Sequence, residues 1–300
     1  MKKRVVSLLI ASCALLSAQD FSAQANKDKE ALKEYLEKKF ADKKGATAFF
    51  PYSTKDELDK NFKWGIKGDE FRLGSYAFNK GGREQYEEVI EMPPYEDAID
   101  AGKELYDGVK FKNGKSFKDC FPDTTIAGDY PKFVKGKGVI TLTGAINSCL
   151  KDNGEKTWKQ TKGKMADLEA YFAFTSKEKG KKVNIIIDSK EAAEAYERGK
   201  KEYYSQRGYL KLSCASCHVQ GAGQRVRNEY MSPLLGQTTH FPVYRLKWEG
   251  LGTLERRLKG CNKDQGENPH KPGSKWLNEL SYFMAYMSNG MPVDGPDIRK

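Results

Sequence analysis

Cys214-Ala215-Ser216-Cys217-His218 is the stretch on which the reading of this chain turns. Two thiols three residues apart, followed at once by an imidazole, form the C-x-x-C-H pattern of c-type haem attachment. The thiols become thioethers to the vinyl groups and the histidine is placed to ligate the iron. A chain of this composition would carry the pattern by chance roughly once in a thousand. The competing readings are weaker: a zinc site needs a second compact pair of ligands, which His240 and His270 do not supply, and an ordinary disulfide leaves the adjacent histidine unexplained.

Upstream of the motif, Glu191 to Tyr204 carries apolar residues at helical spacing, and a loop joins it to the cysteines. The same order occurs earlier, in Glu96 to Tyr106. Shifting the chain by 97 residues aligns Ala98 with Ala195, Gly102 with Gly199, Lys103 with Lys200, Tyr106 with Tyr203, Ser116 with Ser213 and Cys120 with Cys217, without a gap. Phe117 then falls on Cys214 and Phe121 on His218. The repeat predicts a mainly α protein of two cytochrome c-like domains in tandem with a few short strands, the first domain lacking haem. The polar stretch Lys151 to Lys164 predicts the junction, giving a haem-free domain over 26–164 and a haem domain over 165–300. The helical pattern through Asp167-Leu168-Glu169-Ala170-Tyr171-Phe172 either closes the first domain or packs between the two. Val139 to Thr143 and Val183 to Ile187 are the strand candidates. Residues 26–45, rich in Lys and Glu with Leu32, Tyr35 and Leu36 at helical spacing, predict a solvated amphipathic helix without chemistry of its own.

With 300 residues, 38% of them hydrophobic, the chain can build real cores, whereas a mean hydropathy of -0.73 and 31% charged residues exclude a membrane span. Lys2, Lys3 and Arg4 ahead of Val5 to Leu16, with Ala23-Gln24-Ala25 beyond, read as a secretory signal over 1–25 and predict a periplasmic protein. Ile10-Ala11-Ser12-Cys13 has the look of a lipobox, but its apolar region is too short, so lipid anchoring at Cys13 is not expected. The formal net charge is +11, and the chain stays basic once this leader is removed. Basic residues dispersed along an exported chain argue against nucleic acid and for anionic substrates and partners.

Without Cys13, five cysteines remain: Cys120, Cys149, Cys214, Cys217 and Cys261. An odd number in an oxidising compartment leaves one over. With Cys214 and Cys217 on haem, Cys120 and Cys149 are the natural disulfide pair. Cys261 must then be buried, ligated or reactive. The group opposite His218 decides between a carrier and an enzyme. Met231, before Ser232-Pro233, is the best conventional ligand; Met284 and Met287 sit in an apolar helix and read as core, and Met291, His240 and His270 complete the candidates. Cys261 follows Leu254 to Gly260, a helix expected to end at that glycine. If helical geometry persists, Arg257 and Cys261 share a face as i and i+4. A guanidinium beside a sulfur favours the thiolate and can hold an oxyanion by paired hydrogen bonds. From spacing alone, a buried cysteine in a solvated basic turn competes closely.

Together with Phe241-Pro242-Val243-Tyr244-Arg245-Leu246-Lys247-Trp248, Leu251-Gly252-Thr253-Leu254-Glu255-Arg256-Arg257 and Gly260-Cys261-Asn262, the haem motif resembles the SoxA family, the catalytic cytochrome c subunits of SoxAX complexes. Tyr130-Pro131-Lys132-Phe133 and Ala145-Ile146-Asn147-Ser148-Cys149 extend the resemblance into the first domain, so that it covers roughly residues 90 to 300. The resemblance implies one covalently bound haem c on Cys214 and Cys217, with His218 as proximal and Cys261 as distal ligand. It further implies that Cys261 carries a persulfide and that Arg257 is the active-site arginine. Members with two haems differ at Phe117 and Phe121, which implies a single-haem type whose electrons leave through a partner subunit, SoxX, in a heterodimer.

The activity so implied is that of an L-cysteine S-thiosulfotransferase, which oxidatively joins thiosulfate to a cysteine of the SoxYZ carrier protein. Arg256, Lys259 and Lys263 are expected to raise the local anion concentration. Two alternatives stand beside it: a methionine-ligated electron carrier, and a thiosulfate dehydrogenase that makes tetrathionate without a carrier.

Overall fold

The structure, a computed structural model, describes residues 20–51 and 53–299. The expected signal up to Gln19, including Cys13, lies outside the described residues. The helices are α1 (Ala23–Lys39), α2 (Lys43–Phe49), α3 (Lys55–Lys60), α4 (Lys80–Val89), α5 (Glu96–Gly108), α6 (Phe117–Cys120), α7 (Leu142–Asp152), α8 (Lys164–Glu178), α9 (Lys190–Tyr204), α10 (Leu254–Asp264) and α11 (Lys275–Tyr286). Among the described residues no helix is long and apolar enough to cross a membrane.

Two helix pairs organise the chain, α5 against α8 and α9 against α11. Each crossing is set by a glycine. A Cβ on Gly102 would stand 2.0 Å from the Asp167 carbonyl oxygen and 2.9 Å from Tyr171 Cβ; on Gly199 it would stand 2.0 Å from the Glu279 carbonyl oxygen and 3.0 Å from Phe283 Cβ. Only hydrogen fits at either place, so the helices meet backbone to backbone. Tyr106 and Tyr203, also matched in the repeat, are buried beside these crossings. The duplication seen in the sequence is therefore a duplication of packing.

The first domain closes around Tyr106, Phe117, Phe121, Ile146, Leu168 and Phe172. Phe117, at the place of the first haem cysteine, meets Phe111 edge-on at 5.1 Å and Trp158 at 5.4 Å. Aromatic rings fill the space. The Cys120–Cys149 disulfide, with Cα atoms 6.1 Å apart, ties α6 to α7.

Three expectations shift. The helix predicted around Asp167 spans Lys164–Glu178; its Met165, Leu168 and Phe172 face the first core while its Ala166 and Ala170 pack with Leu251 and Ile298, so α8 closes the first core and also packs between the two domains. The N-terminal helix is not solvated: Leu32, Leu36 and Phe40 join one core with Tyr196, Leu277 and Phe283. Tyr196 Oη donates to Asp28 at 2.9 Å, Lys200 Nζ meets the same carboxylate at 2.6 Å, and Tyr286 Oη donates to Asn26 at 2.8 Å. The Lys/Glu-rich composition had hidden a stripe that the second domain covers. Ala25, the expected cleavage position, lies inside α1 and is buried.

The strands are short. β1 (Lys132–Val134) pairs antiparallel with β2 (Gly138–Ile140), β3 (Arg225–Val226) with β4 (Glu229–Tyr230), and β5 (Val243–Arg245) lies between antiparallel β6 (Gly250–Gly252) and parallel β7 (Asp297–Arg299). Of the two predicted strands, the first survives as β2 before Thr141 caps α7. Val183 to Ile187 forms no ladder; Val183 N–H donates to the Met291 carbonyl, and Asn289 bonds both the N–H and the carbonyl of Ile185.

Candidate functional site

The haem motif occupies a widened turn. Ser213 and Ser216 cap one another, each side-chain oxygen accepting the other's backbone N–H, at 3.1 and 3.0 Å. From Ser216 to Gln220 the helix is of the π type, and Gly221 N–H donates to the Ser216 carbonyl at 2.9 Å. A Cβ on Gly221 would come 2.5 Å from that carbonyl, so the wide turn requires glycine. Cys214 and Cys217 are free thiols on this turn. Burial pushes Cys214 up to about 12, and burial likewise raises Cys217.

His218 is fixed from behind. Its Nδ1 donates to the Ser232 carbonyl at 2.7 Å, which leaves Nε2 with a free lone pair. Burial lowers its pKa to about 4, with Arg257 adding to the shift, so the ring is neutral and able to ligate. Met231 precedes Ser232, and its segment lies on the Nδ1 side of the imidazole. Met284, Met287 and Met291 are core residues. His240 is buried, stacked on Phe241, and burial holds it well below its ordinary pKa. His270 stacks on Trp276 at 4.1 Å.

The third sulfur comes from α10. Thr253 caps this helix by accepting Arg256 N–H, and the helix runs through Gly260 and Cys261 to Asp264 instead of stopping at Gly260. Glu255, Leu258 and Asn262 bury one face, and the chain turns only at Gly266, where φ is +74°. Arg257 and Cys261 are thus i and i+4 on continuous helix. Cys261 is a free, partly buried thiol within electrostatic reach of Cys214, Cys217, Arg245 and Arg257. Its sulfur is the main cause that holds the Arg257 guanidinium above its ordinary value. Arg257 lies 3.9 Å from Asp264. Arg256, expected to attract anions, instead stacks on Trp248 at 4.2 Å and donates to the Leu251 carbonyl at 3.2 Å. Lys259 and Lys263 are exposed.

Two neighbours had no signal as chemistry in the sequence. Arg245, on β5, is buried and meets Glu229 at 3.3 Å, while its Nε has no partner. Lys39, 1% exposed, donates to the Gln220 carbonyl at 2.6 Å and lies 5.1 Å from the centre of the Phe50 ring. Its position in line with Leu32 and Leu36, on the apolar stripe of α1, was the available clue. Phe40 and Phe50 press on Gly223, where a Cβ would stand 2.8 and 2.7 Å from their rings.

Among the described residues no group of three or more His, Cys, Asp or Glu is placed to hold a bare metal ion. Two free thiols on one turn, an imidazole with Nε2 available and a third thiol in electrostatic reach form a donor set that fits haem c.

The family described as SoxA/TsdA, cytochrome c domain, matches residues 101–181 and 198–293. The chain is 45% identical over 237 residues to the L-cysteine S-thiosulfotransferase subunit SoxA of Chlorobaculum tepidum, covering 78% of this chain and 82% of that one. It is 42% identical to the protein of the same name from Allochromatium vinosum, covering 78% and 84%. A crystal structure of SoxXA from P. pantotrophus superposes with a TM-score of 0.66 at 28% identity, covering 72% of this chain and 84% of that chain.

Proposed function

The chain belongs to the SoxA family, and we propose that within it Cys261 and Arg257 are the residues that act on sulfur. The protein is an L-cysteine S-thiosulfotransferase subunit that carries haem c and works with a SoxX cytochrome subunit in thiosulfate oxidation. Its reaction joins thiosulfate to a carrier cysteine of SoxYZ. A thiol and thiosulfate give the S-thiosulfonate, one proton and two electrons; both sulfurs are nucleophiles, so the bond forms only if the electrons leave.

Cys214 and Cys217 would hold the haem as thioethers, and His218 Nε2 and the Cys261 sulfur would hold its iron. Haem c supplies a one-electron acceptor, which makes a second cytochrome subunit useful. In our reading Cys261 carries a persulfide. Its outer sulfur joins the sulfane sulfur of thiosulfate as two electrons are lost, and the carrier thiolate then takes the sulfonated sulfane group by exchange, restoring the persulfide. Arg257 holds the sulfonate by paired hydrogen bonds. Lys259 and Lys263 draw anions towards the site.

The observation that carries this reading is that Arg257 and Cys261 share one face of α10 beside the haem cysteines. Cys261→Ser tests it. The variant should keep covalently attached haem and lose coupling by roughly a thousandfold or more, as removal of a covalent nucleophile does; normal turnover refutes the assignment. Mass spectrometry of the purified subunit should show one haem and one extra sulfur atom. Product analysis with and without the carrier separates S-thiosulfonate formation from tetrathionate formation.

We place the domain boundary in the extended stretch after Glu178, and read the segment up to about residue 78 as a collar on the haem domain. The basic and apolar leader directs the chain to the periplasm. Cleavage ahead of Asp20 keeps the buried Ala25 in place, in preference to the cut after Ala25.

A further inference from the structure

Helix α10 is anchored at its first turn to the haem-free domain. The Thr253 hydroxyl donates to the Gln160 carbonyl at 2.6 Å, and the Thr253 N–H reaches the Thr161 carbonyl at 3.4 Å. Glu255, 3% exposed, accepts a hydrogen bond from the hydroxyl of Thr143, which is itself fully buried on α7. The single Thr143 proton is committed to that carboxylate, so Thr143 accepts from Gln160 Nε2 at 3.1 Å. The Thr141 hydroxyl, 2.9 Å from that of Thr143, completes the cluster. Glu169 of α8 faces the same seam, across a cavity of about 80 Å³ lined by Thr141, Glu169, Leu254 and Glu255. Burial and the charge of Glu255 push the Glu169 carboxyl well above the ordinary carboxylate range.

An apolar seam would hold two domains together with no desolvation cost, and a buried polar cluster is weak evidence for stability. What directional hydrogen bonds add is register. Here they seize the first turn of the helix that presents Arg257 two residues beyond Glu255 and Cys261 six beyond.

We propose that Glu255 is a positioning residue: held by Thr143 of the haem-free domain, whose hydroxyl Gln160 braces in turn, it sets the rotation and advance of α10, and with them the placement of Arg257 and Cys261. The domain that lost its haem is thereby retained as a clamp on the sulfur chemistry. This rests on the reading that Arg257 and Cys261 carry that chemistry, and its test is separable from it.

The test uses the full chain in complex with its partner cytochrome. Thr143→Val removes the hydroxyl at constant shape. Haem content should be unchanged, because the attachment motif lies on another segment. The low-spin electron paramagnetic resonance of the ferric haem, which reports its sulfur ligand, should split into more than one species, and coupling should fall by roughly tenfold or more. Thr143→Ser should restore both. Gln160→Ala, which leaves the core intact, should give a smaller change in the same direction, and it serves where Thr143→Val fails to fold.

A wild-type resonance and rate in Thr143→Val and Gln160→Ala, even with lowered thermal stability, reduce the seam to domain adhesion and overturn the proposal. Normal turnover in Cys261→Ser refutes the underlying reading instead, while a split resonance in Thr143→Val would still report that the seam places α10.

Discussion

Two copies of one helix pair stand side by side in this molecule, and they differ in what fills the space beneath them. Around α9 and α11 the loop supplies two thiols and a histidine; around α5 and α8 it supplies Phe117, Phe121 and a disulfide. The crossings themselves are the same, down to a glycine 2.0 Å from its neighbour's carbonyl in the sense of a missing Cβ. The fold therefore does not depend on a porphyrin. It depends on something rigid and apolar under the crossing and on a covalent tie near the cysteine, and aromatic rings with Cys120–Cys149 meet both needs. The second copy holds the thiols and the histidine to which the proposed sulfur chemistry is assigned.

Removing the sulfur chemistry particular to each copy puts the comparison at most risk. Loss of Cys261 should abolish coupling and leave folding intact, as argued above. The double change Cys120→Ser, Cys149→Ser should do the reverse, with coupling kept at permissive temperature and stability lowered by about 3–4 kcal/mol for a closed loop of this length. A disulfide-free variant of full stability would show that the aromatic core suffices. Next in size is Arg257→Ala, which should cost about 2–4 kcal/mol of transition-state stabilisation, read as a fall in kcat/KM for thiosulfate with the haem spectrum unchanged. Equal activity would make Arg257 a structural cation.

The paired glycines sharpen the parallel. Gly102→Ala and Gly199→Ala each force two backbones apart and should each cost about 1–3 kcal/mol in chemical denaturation. Only Gly199→Ala should also lower the yield of covalently attached haem. If Gly102→Ala does so as well, the two domains fold as one unit rather than as two.

What could be read in the sequence was what is local. Cys214, Cys217 and His218 are neighbours in the chain, so the haem motif shows without a fold; Arg257 and Cys261 are one turn apart, a spacing that puts them on one face but leaves their roles to the family resemblance. The first helix of each pair was visible because Gly102, Gly199, Tyr106 and Tyr203 mark it twice. What could not be read was choice of partner. Met165, Leu168 and Phe172 announce an apolar face on α8 but not which domain it covers. Gly260 is a poor helix residue, yet the buried Glu255, Leu258 and Asn262 carry α10 through it, tertiary packing overriding propensity. Strands β5 to β7 have three residues each and exist only by pairing. Thr143 and Glu255 are 112 residues apart, and no pattern in the chain joins them.

Lys39 offers the smallest and most specific contrast, because the haem-free copy has no counterpart to the buried ammonium beneath Gln220. Burial lowers its pKa from 10.5 to about 8. In the native state it therefore binds fewer protons than the unfolded chain between pH 8 and 10.5, and over that window stability from this group rises with pH. Below pH 8 the charge is present in both states and its desolvation cost is fully felt, up to about 3 kcal/mol, with the two carbonyls of Val219 and Gln220 offsetting part of it. Lys39→Met removes the titration and the two hydrogen bonds together. Chemical denaturation of the wild type at pH 7.5 and 10 should show a relative gain for this residue that the variant lacks. A parallel pH profile in the two proteins would mean that the ammonium is solvated in the native state, and that the N-terminal segment grips the haem motif through Phe40 and Phe50 alone.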